Sequence, residues 1–274
     1  AERAMRCGHA SIAAALLFAS PLRAAPPAPA FNPDNPAASG YTITFSDNFN
    51  ALNGAVWELD WWYNISSETP CQQAYLPGTA LVSGSGLRMH IQSLEAVPAC
   101  VGGTQIYSAA HLDAYQGIAQ KLGYYEASIQ SSATGGTLTA FWLLPASGAW
   151  PPELDIEEIR GDYPAMAYLT NHTGAANTQK QFVYVAPASL GGAYHVYGAL
   201  LTSSHIIWYI DGIKRGQTSR GPGELAPLFP IFSLYTGACG DGWAGCPSKT
   251  TAWSADANVQ WIRVWRAKAG LRRF

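Results

Sequence analysis

The sequence predicts an all-β protein, a sandwich of two antiparallel sheets, and three observations carry this. Strand-like segments recur along the chain, each closed by Gly, Pro, Asn or Ser. Outside the N-terminal run, no long apolar period of 3.6 residues appears. The composition is only 12% charged, with 27 Gly and 14 Tyr, and so is poor in the Glu, Lys and Arg that cover helix surfaces. Many strands without intervening helices exclude a βαβ sheet. The 274 residues, 48% hydrophobic, suffice for one large domain with its own core. A formal net charge of −2 offers no electrostatic footprint for nucleic acid, and none is expected as a partner.

The elements follow in chain order. Arg3 and Arg6 precede the apolar run SIAAALLFAS, and small residues follow to Ala24 and Ala25, so residues 1–25 read as an export signal. That run is shorter than the ~20 residues of a membrane-spanning helix, and no membrane attachment is expected after cleavage. The expected location is secreted or periplasmic. PPAPAFNPDNPAASG makes residues 26–40 a Pro/Ala-rich linker. Residues 41–267 carry the strands, beginning with YTITFSDNF (41–49), GLRMHIQSL (86–94), GYYEASIQSS (123–132) and TLTAFWLLP (137–145). After an acidic segment come AMAYLTNH (165–172), QFVYVAP (181–187), YHVYGALLT (194–202), HIIWYIDGIKRGQ (205–217), LFPIFSLYTG (228–237) and VQWIRVWR (259–266). The Asp-Gly within YIDGIKRG, set between two strand-like runs, signals a tight hairpin. Residues 268–274 form a tail, no internal repeat is found, and a monomer is expected.

Cysteine usage agrees with export. Apart from Cys7 in the signal, the chain holds Cys71, Cys100, Cys239 and Cys246, an even number that permits three pairings. Cys71–Cys100 and Cys239–Cys246 require the fewest long-range coincidences and are the expected disulfides. Zinc is the rival reading, but neither CxxC nor clustered His accompanies these residues.

The chemistry concentrates in PPELDIEEIRGD, where Glu153, Asp155, Glu157 and Glu158 fall within six residues of a chain with 18 Asp and Glu in all. On a regular strand Glu153, Asp155 and Glu157 share one face, with neighbours on that face roughly 7 Å apart. A β-bulge after Ile156 would instead return Glu158 to the face of Glu153 and Asp155. Either way three carboxylates line up, and their repulsion requires a metal, basic partners or a task. Evenly spaced ligands on an extended strand cannot wrap round a calcium ion as a loop does. They suit glycosidic bond cleavage, in which one carboxylate attacks the anomeric carbon and a protonated one gives its proton to the leaving oxygen. The middle Asp would orient the nucleophile, and mutual repulsion would raise the pKa of the acid.

WPPELDIEEIRG resembles the catalytic strand of family 16 glycoside hydrolases, the laminarinase and lichenase group, whose hallmark is Glu-x-Asp-x-(x)-Glu. Over roughly residues 41–266 the order of further fragments is similar: FSDNFN, GYYEASIQ, TAFWLLPASGAW, YHVYGALLTSSHIIWYIDG and QWIRVW. The resemblance implies a concanavalin-like jelly roll with a concave substrate cleft. It implies a secreted, retaining endo-β-glycanase acting on a β-1,3- or β-1,4-linked polysaccharide. It further implies Glu153 as nucleophile, Asp155 as its helper and a final Glu as acid/base, which is Glu157 in unbulged members and Glu158 in bulged ones. Bulged members carry Gly three residues after the acid/base, and Gly161 fits Glu158. Trp142 corresponds to a Trp of the family's cleft, and His172 to a His or Asn on the strand after the acids. Trp150 beside the acids, and Trp61, Trp62 and Asn64 in WELDWWYN, are candidate substrate contacts; His111, His195 and His205 have no clustered partners and read as structural. No cofactor is expected. Where many relatives have an Asp that ligates structural calcium, this chain has Gln260, which puts calcium in doubt. Asn48, Thr139 and YTGACGDGWAGC also depart from the family's pattern. A non-catalytic glycan-binding jelly roll and a transglycosylase are the alternative functions.

Overall fold

The computed structural model describes residues 30–59, 73–76, 78–84, 86–94, 99–100, 103–104, 107–174, 178–237, 243–245, 247 and 253–270. The expected signal, Trp61, Trp62, Asn64, Cys71, Cys239 and Cys246 lie outside these residues, as does the side chain of Cys100, so the expected disulfides do too.

The strands are β1 (Tyr41–Asp47), β2 (Gln73–Tyr75), β3 (Ala80–Ser83), β4 (Gly86–Gln92), β5 (Ala99–Cys100), β6 (Gly103–Thr104), β7 (Tyr107–Asp113), β8 (Gly123–Gln130) and β9 (Thr137–Pro145). They continue with β10 (Glu153–Arg160), β11 (Met166–Gly174), β12 (Thr178–Val185), β13 (Tyr194–Leu201), β14 (His205–Ile210), β15 (Ile213–Ser219), β16 (Leu228–Thr236) and β17 (Ser254–Ala267). One sheet runs β15-β14-β13-β8-β17-β4-β3, with β1 also on β17; the other runs β12-β11-β10-β9-β16-β7-β2. The 14 residues of β17 pair with β8 along one edge and with β4 and then β1 along the other, which ties the first and last described strands into one sheet. All pairings within these two sheets are antiparallel except β2 with β7, which is parallel.

Alternation explains the sandwich. Phe141 and Leu143 on β9, Leu154 and Ile159 on β10, Leu169 on β11 and Phe232 on β16 point inward and are fully or almost fully buried. They meet Tyr125, Ala127, Ile129, Tyr197, Trp208, Ile262 and Val264 from the other sheet in one continuous core. The hairpin expected at Asp-Gly is present: Asp211 and Gly212 both have positive φ, 50° and 71°, the combination that matches the twist of the β14 and β15 strands it joins.

Two differences from the sequence reading have plain causes. Strand β7, YSAAHLD, is not among the expected strands: every one of its residues is buried, so no alternation marks it. Residues 31–40, read from composition as the end of a linker, belong to the fold, because Phe31 packs 5.1 Å from Tyr41 and 4.9 Å from Tyr124, ring centre to ring centre. A single aromatic residue is enough to dock a Pro-rich segment that composition alone would leave free.

Candidate active site

The decisive local feature is a bulge in β10. Opposite β9, Asp155 pairs with Trp142 while Glu157 pairs with Phe141, so Ile156 is extra. Opposite β11, Asp155 pairs with Thr170 and Glu158 with Tyr168, leaving two residues of β10 against one. Ile156 and Glu157 therefore both turn inward, each fully buried, and Glu158 returns to the outer face with Glu153 and Asp155. Two groups hold this arrangement from across the core, Trp208 on β14 and Ser131 just after β8. Trp208 donates its indole N–H to the Asp155 carbonyl oxygen at 2.9 Å, and the Ser131 hydroxyl donates to Glu157 Oε1 at 2.7 Å. Gly161, three residues beyond Glu158, has no room for a side chain: a Cβ there would lie 1.8 Å from the Thr134 carbonyl oxygen.

On the outer face the three acids form one electrostatic unit. Asp155, 3% exposed, hydrogen-bonds the Glu153 side chain and also lies 3.1 Å, Oδ2 to Nε2, from His172. The same His172 nitrogen is 3.7 Å from Glu153 Oε1, and the Trp150 indole donates to Glu153 Oε2 at 2.7 Å. Burial, reinforced by the Glu153 charge and hydrogen bond, pushes the Asp155 carboxyl well above the usual range. Glu158 is pushed well above it too, first by burial and then by the charges of Asp155 and Glu153, against smaller opposing effects of His172 and the Thr170 hydroxyl. Thr170 Oγ1 lies 3.5 Å from Glu158 Oε2 and accepts from the Gln181 amide at 3.0 Å, so β11 and β12 both orient Glu158. Trp142 stands opposite Asp155 on β9, with its indole N–H donating to the Ser233 hydroxyl at 3.2 Å.

Of the residues expected at the site, Glu153, Asp155, Glu158, Trp142, Trp150 and His172 come together. Thr170, Gln181 and Ser233 were not anticipated, because single hydroxyl and amide residues carry no sequence signal without the register that places them. Two structural His differ from expectation in having acidic partners. His111 lies 2.8 Å from Asp113 in a fully buried pair, and His195 2.7 Å from Asp211; His205 instead contacts the Ser204 hydroxyl at 2.8 Å. Gln260, at the position discussed for calcium, accepts from the Ser128 hydroxyl at 2.8 Å. Among the described residues Glu153, Asp155 and His172 offer ligand atoms within 4.8 Å of one another, near enough to hold an ion, and they also hydrogen-bond one another.

Glu157 gives a testable consequence of the bulge. Burial is the main cause that pushes its carboxyl up to about 8, the Glu158 charge adds to this, and Oε2 has no hydrogen-bond partner. A folded-state value above the unfolded one means that the native state holds this proton more tightly. The associated stability is full below about 4.5 and is lost as pH rises toward 8, by up to about 1.4 kcal/mol per pH unit. Glu157→Gln keeps an acceptor for Ser131 and removes the ionisation. Thermal unfolding between pH 4.5 and 8 should therefore depend less steeply on pH than in the parent; parallel curves would show that Glu157 does not titrate in this window.

Comparison with known proteins bears on the family and the fold. Residues 105–263 match the model of glycosyl hydrolases family 16. The chain is 32% identical over 252 residues to the endo-1,3-1,4-beta-glycanase ExsH of Rhizobium meliloti (strain 1021), covering 82% of this chain and 52% of that protein. It is 29% identical over 251 residues to the endo-1,3-1,4-beta-glycanase EglC of the same strain, covering 83% and 52%. The chain thus spans about half the length of the curated relatives it matches. The fold superposes on the laminarinase catalytic domain of Thermotoga maritima MSB8 with a TM-score of 0.72 at 19% identity, covering 82% of this chain and 98% of that one.

Proposed function

The chain belongs to glycosyl hydrolase family 16, and from that premise we propose that it is a retaining endo-β-glucanase cleaving β-1,3- or mixed β-1,3/β-1,4-linked glucan. The observation that carries this reading is the bulge, which sets Glu158 beside Asp155 and Glu153 on one face. Glu153, fixed by Trp150 and Asp155, attacks the anomeric carbon as the bond to the leaving oxygen breaks. Glu158, whose burial favours the protonated form, gives its proton to that oxygen. It then takes a proton from water, which attacks the glycosyl-enzyme and releases Glu153. Asp155 and His172 keep the nucleophile oriented without touching the reacting carbon. Binding alone gives no reason to retain three repelling carboxylates, and this favours catalysis over the glycan-binding alternative.

The test is digestion of laminarin, lichenan and other polysaccharides, with product masses and the anomeric form of the first product read by NMR. A ladder of oligosaccharides released initially as the β-anomer is expected. No product from any β-glucan, or release of the α-anomer, would overturn the reading. We also propose export, supported by Arg3, Arg6 and the apolar run that follows. N-terminal sequencing of the protein recovered outside the cytoplasm should begin near Ala25 or Pro26.

A further inference from the structure

In YTGACGDGWAGC, which departs from the family's pattern, Trp243 has 39% of its surface exposed. A lone exposed Trp in a loop is ordinarily unremarkable as evidence of function; the contacts of this one are not. Tyr168 stands opposite Glu158 on β11, and residues so paired share a face, so it lies on the outer face next to the acid. The Trp243 ring is centred 4.7 Å from that of Tyr168, at 68° between planes. Arg160, the next outward residue of β10 after Glu158, sets its guanidinium 5.5 Å from the Trp243 ring and 5.0 Å from the Tyr163 ring. Asp162 lies 3.8 Å from that guanidinium. Arg160 of β10 and Tyr168 of β11 thus hold one indole in a set orientation, with Tyr163 and Asp162 bracing Arg160 and part of the indole open to solvent.

Its position relative to the acids is the second observation. Across the strands the outer face runs from Trp142 on β9, through the acids on β10, to Tyr168 on β11 with Trp243 against it. Trp142 adjoins Asp155, which orients the nucleophile, and Trp243 flanks the Glu158 side. We propose that Trp243, braced by Tyr168 and Arg160, is a stacking platform for a sugar ring on the leaving-group side of the scissile bond. The apolar C–H face of a glucose unit would lie on the indole, and a rigid ring loses little freedom when it binds. The inference rests on the glycanase reading and deepens it, because a platform there rewards chains that continue past the acids.

The experiment compares the parent with Trp243→Ala and Trp243→Phe on laminarin, on β-gluco-oligosaccharides of increasing length, and on an aryl β-gluco-oligosaccharide with no sugar on the leaving-group side. For laminarin and the longer oligosaccharides, Trp243→Ala should raise KM roughly three- to tenfold, the range of one lost aromatic contact, with kcat within about twofold. The aryl substrate should be unaffected, and Trp243→Phe should recover part of the loss. An unchanged KM on every substrate would overturn the platform. An equal change on the aryl substrate, accompanied by a lower Tm, would show that Trp243 merely closes the end of the sandwich. A parent that cleaves no β-glucan would instead overturn the glycanase reading itself.

Discussion

Glu153→Gln should reduce turnover of a β-glucan by at least about 10³-fold while leaving the protein folded. The amide occupies nearly the same volume and can still accept from the Trp150 indole, so the local packing survives. It cannot attack the anomeric carbon. Removing this negative charge also removes one of the influences that hold the Asp155 and Glu158 carboxyls above their usual range, so stability should not fall. The smaller variant Glu153→Ala provides a positive signal: azide can enter the space of the missing carboxylate and attack the anomeric carbon directly. One inversion converts a β-linked substrate with a good leaving group into an α-glycosyl azide. Circular dichroism and thermal unfolding check the fold, and NMR of the product checks the configuration. Near-normal activity in Glu153→Gln, with no α-azide from Glu153→Ala, would remove Glu153 from the nucleophile role.

Glu158→Ala should give the opposite stereochemistry. Here the nucleophile is intact, so an aryl glycoside whose leaving group needs no protonation still forms the glycosyl-enzyme. Its breakdown stalls for lack of a base, and azide, which needs none, should restore turnover and yield a β-glycosyl azide. On glucan, where the leaving alcohol needs a proton, the loss should be about 10²- to 10⁴-fold, the usual contribution of a general acid. Glu157→Ala separates the two registers. The Glu157 side chain is fully buried, bonded to Ser131 and turned away from the other acids, so its loss should affect stability more than turnover, with no azide rescue. Rescue at Glu157 with normal activity in Glu158→Ala would mean that the acid/base lies on the other side of the strand.

Much of the site was legible because carboxylates cannot be crowded onto one strand without consequence, so ELDIEE announces itself in a chain so sparing of charge. Trp142 and His172 were legible only through the resemblance to family 16 glycoside hydrolases. The contacts that orient them were not. Thr170 reaches Glu158, and Gln181 reaches Thr170, only because β11 and β12 pair in one register, and Trp150 reaches Glu153 only through the path of the loop that precedes β10.

By itself the sequence determined an all-β chain, the order of its main strands, the Asp211–Gly212 hairpin and the identity of the four acids. These follow from local rules: alternation with a period of two, turn chemistry, and the repulsion of like charges. Only the tertiary structure decided which acid faces which way. A period of two cannot locate its own interruption, and only the family resemblance, through Gly161, pointed to the bulged register and Glu158. The choice was made across the core, where Trp208 on β14 takes the Asp155 carbonyl and Ser131, just after β8, takes Glu157. A buried carbonyl and a buried carboxyl each need a partner, and in the bulged register Trp208 meets the first and Ser131 one oxygen of the second.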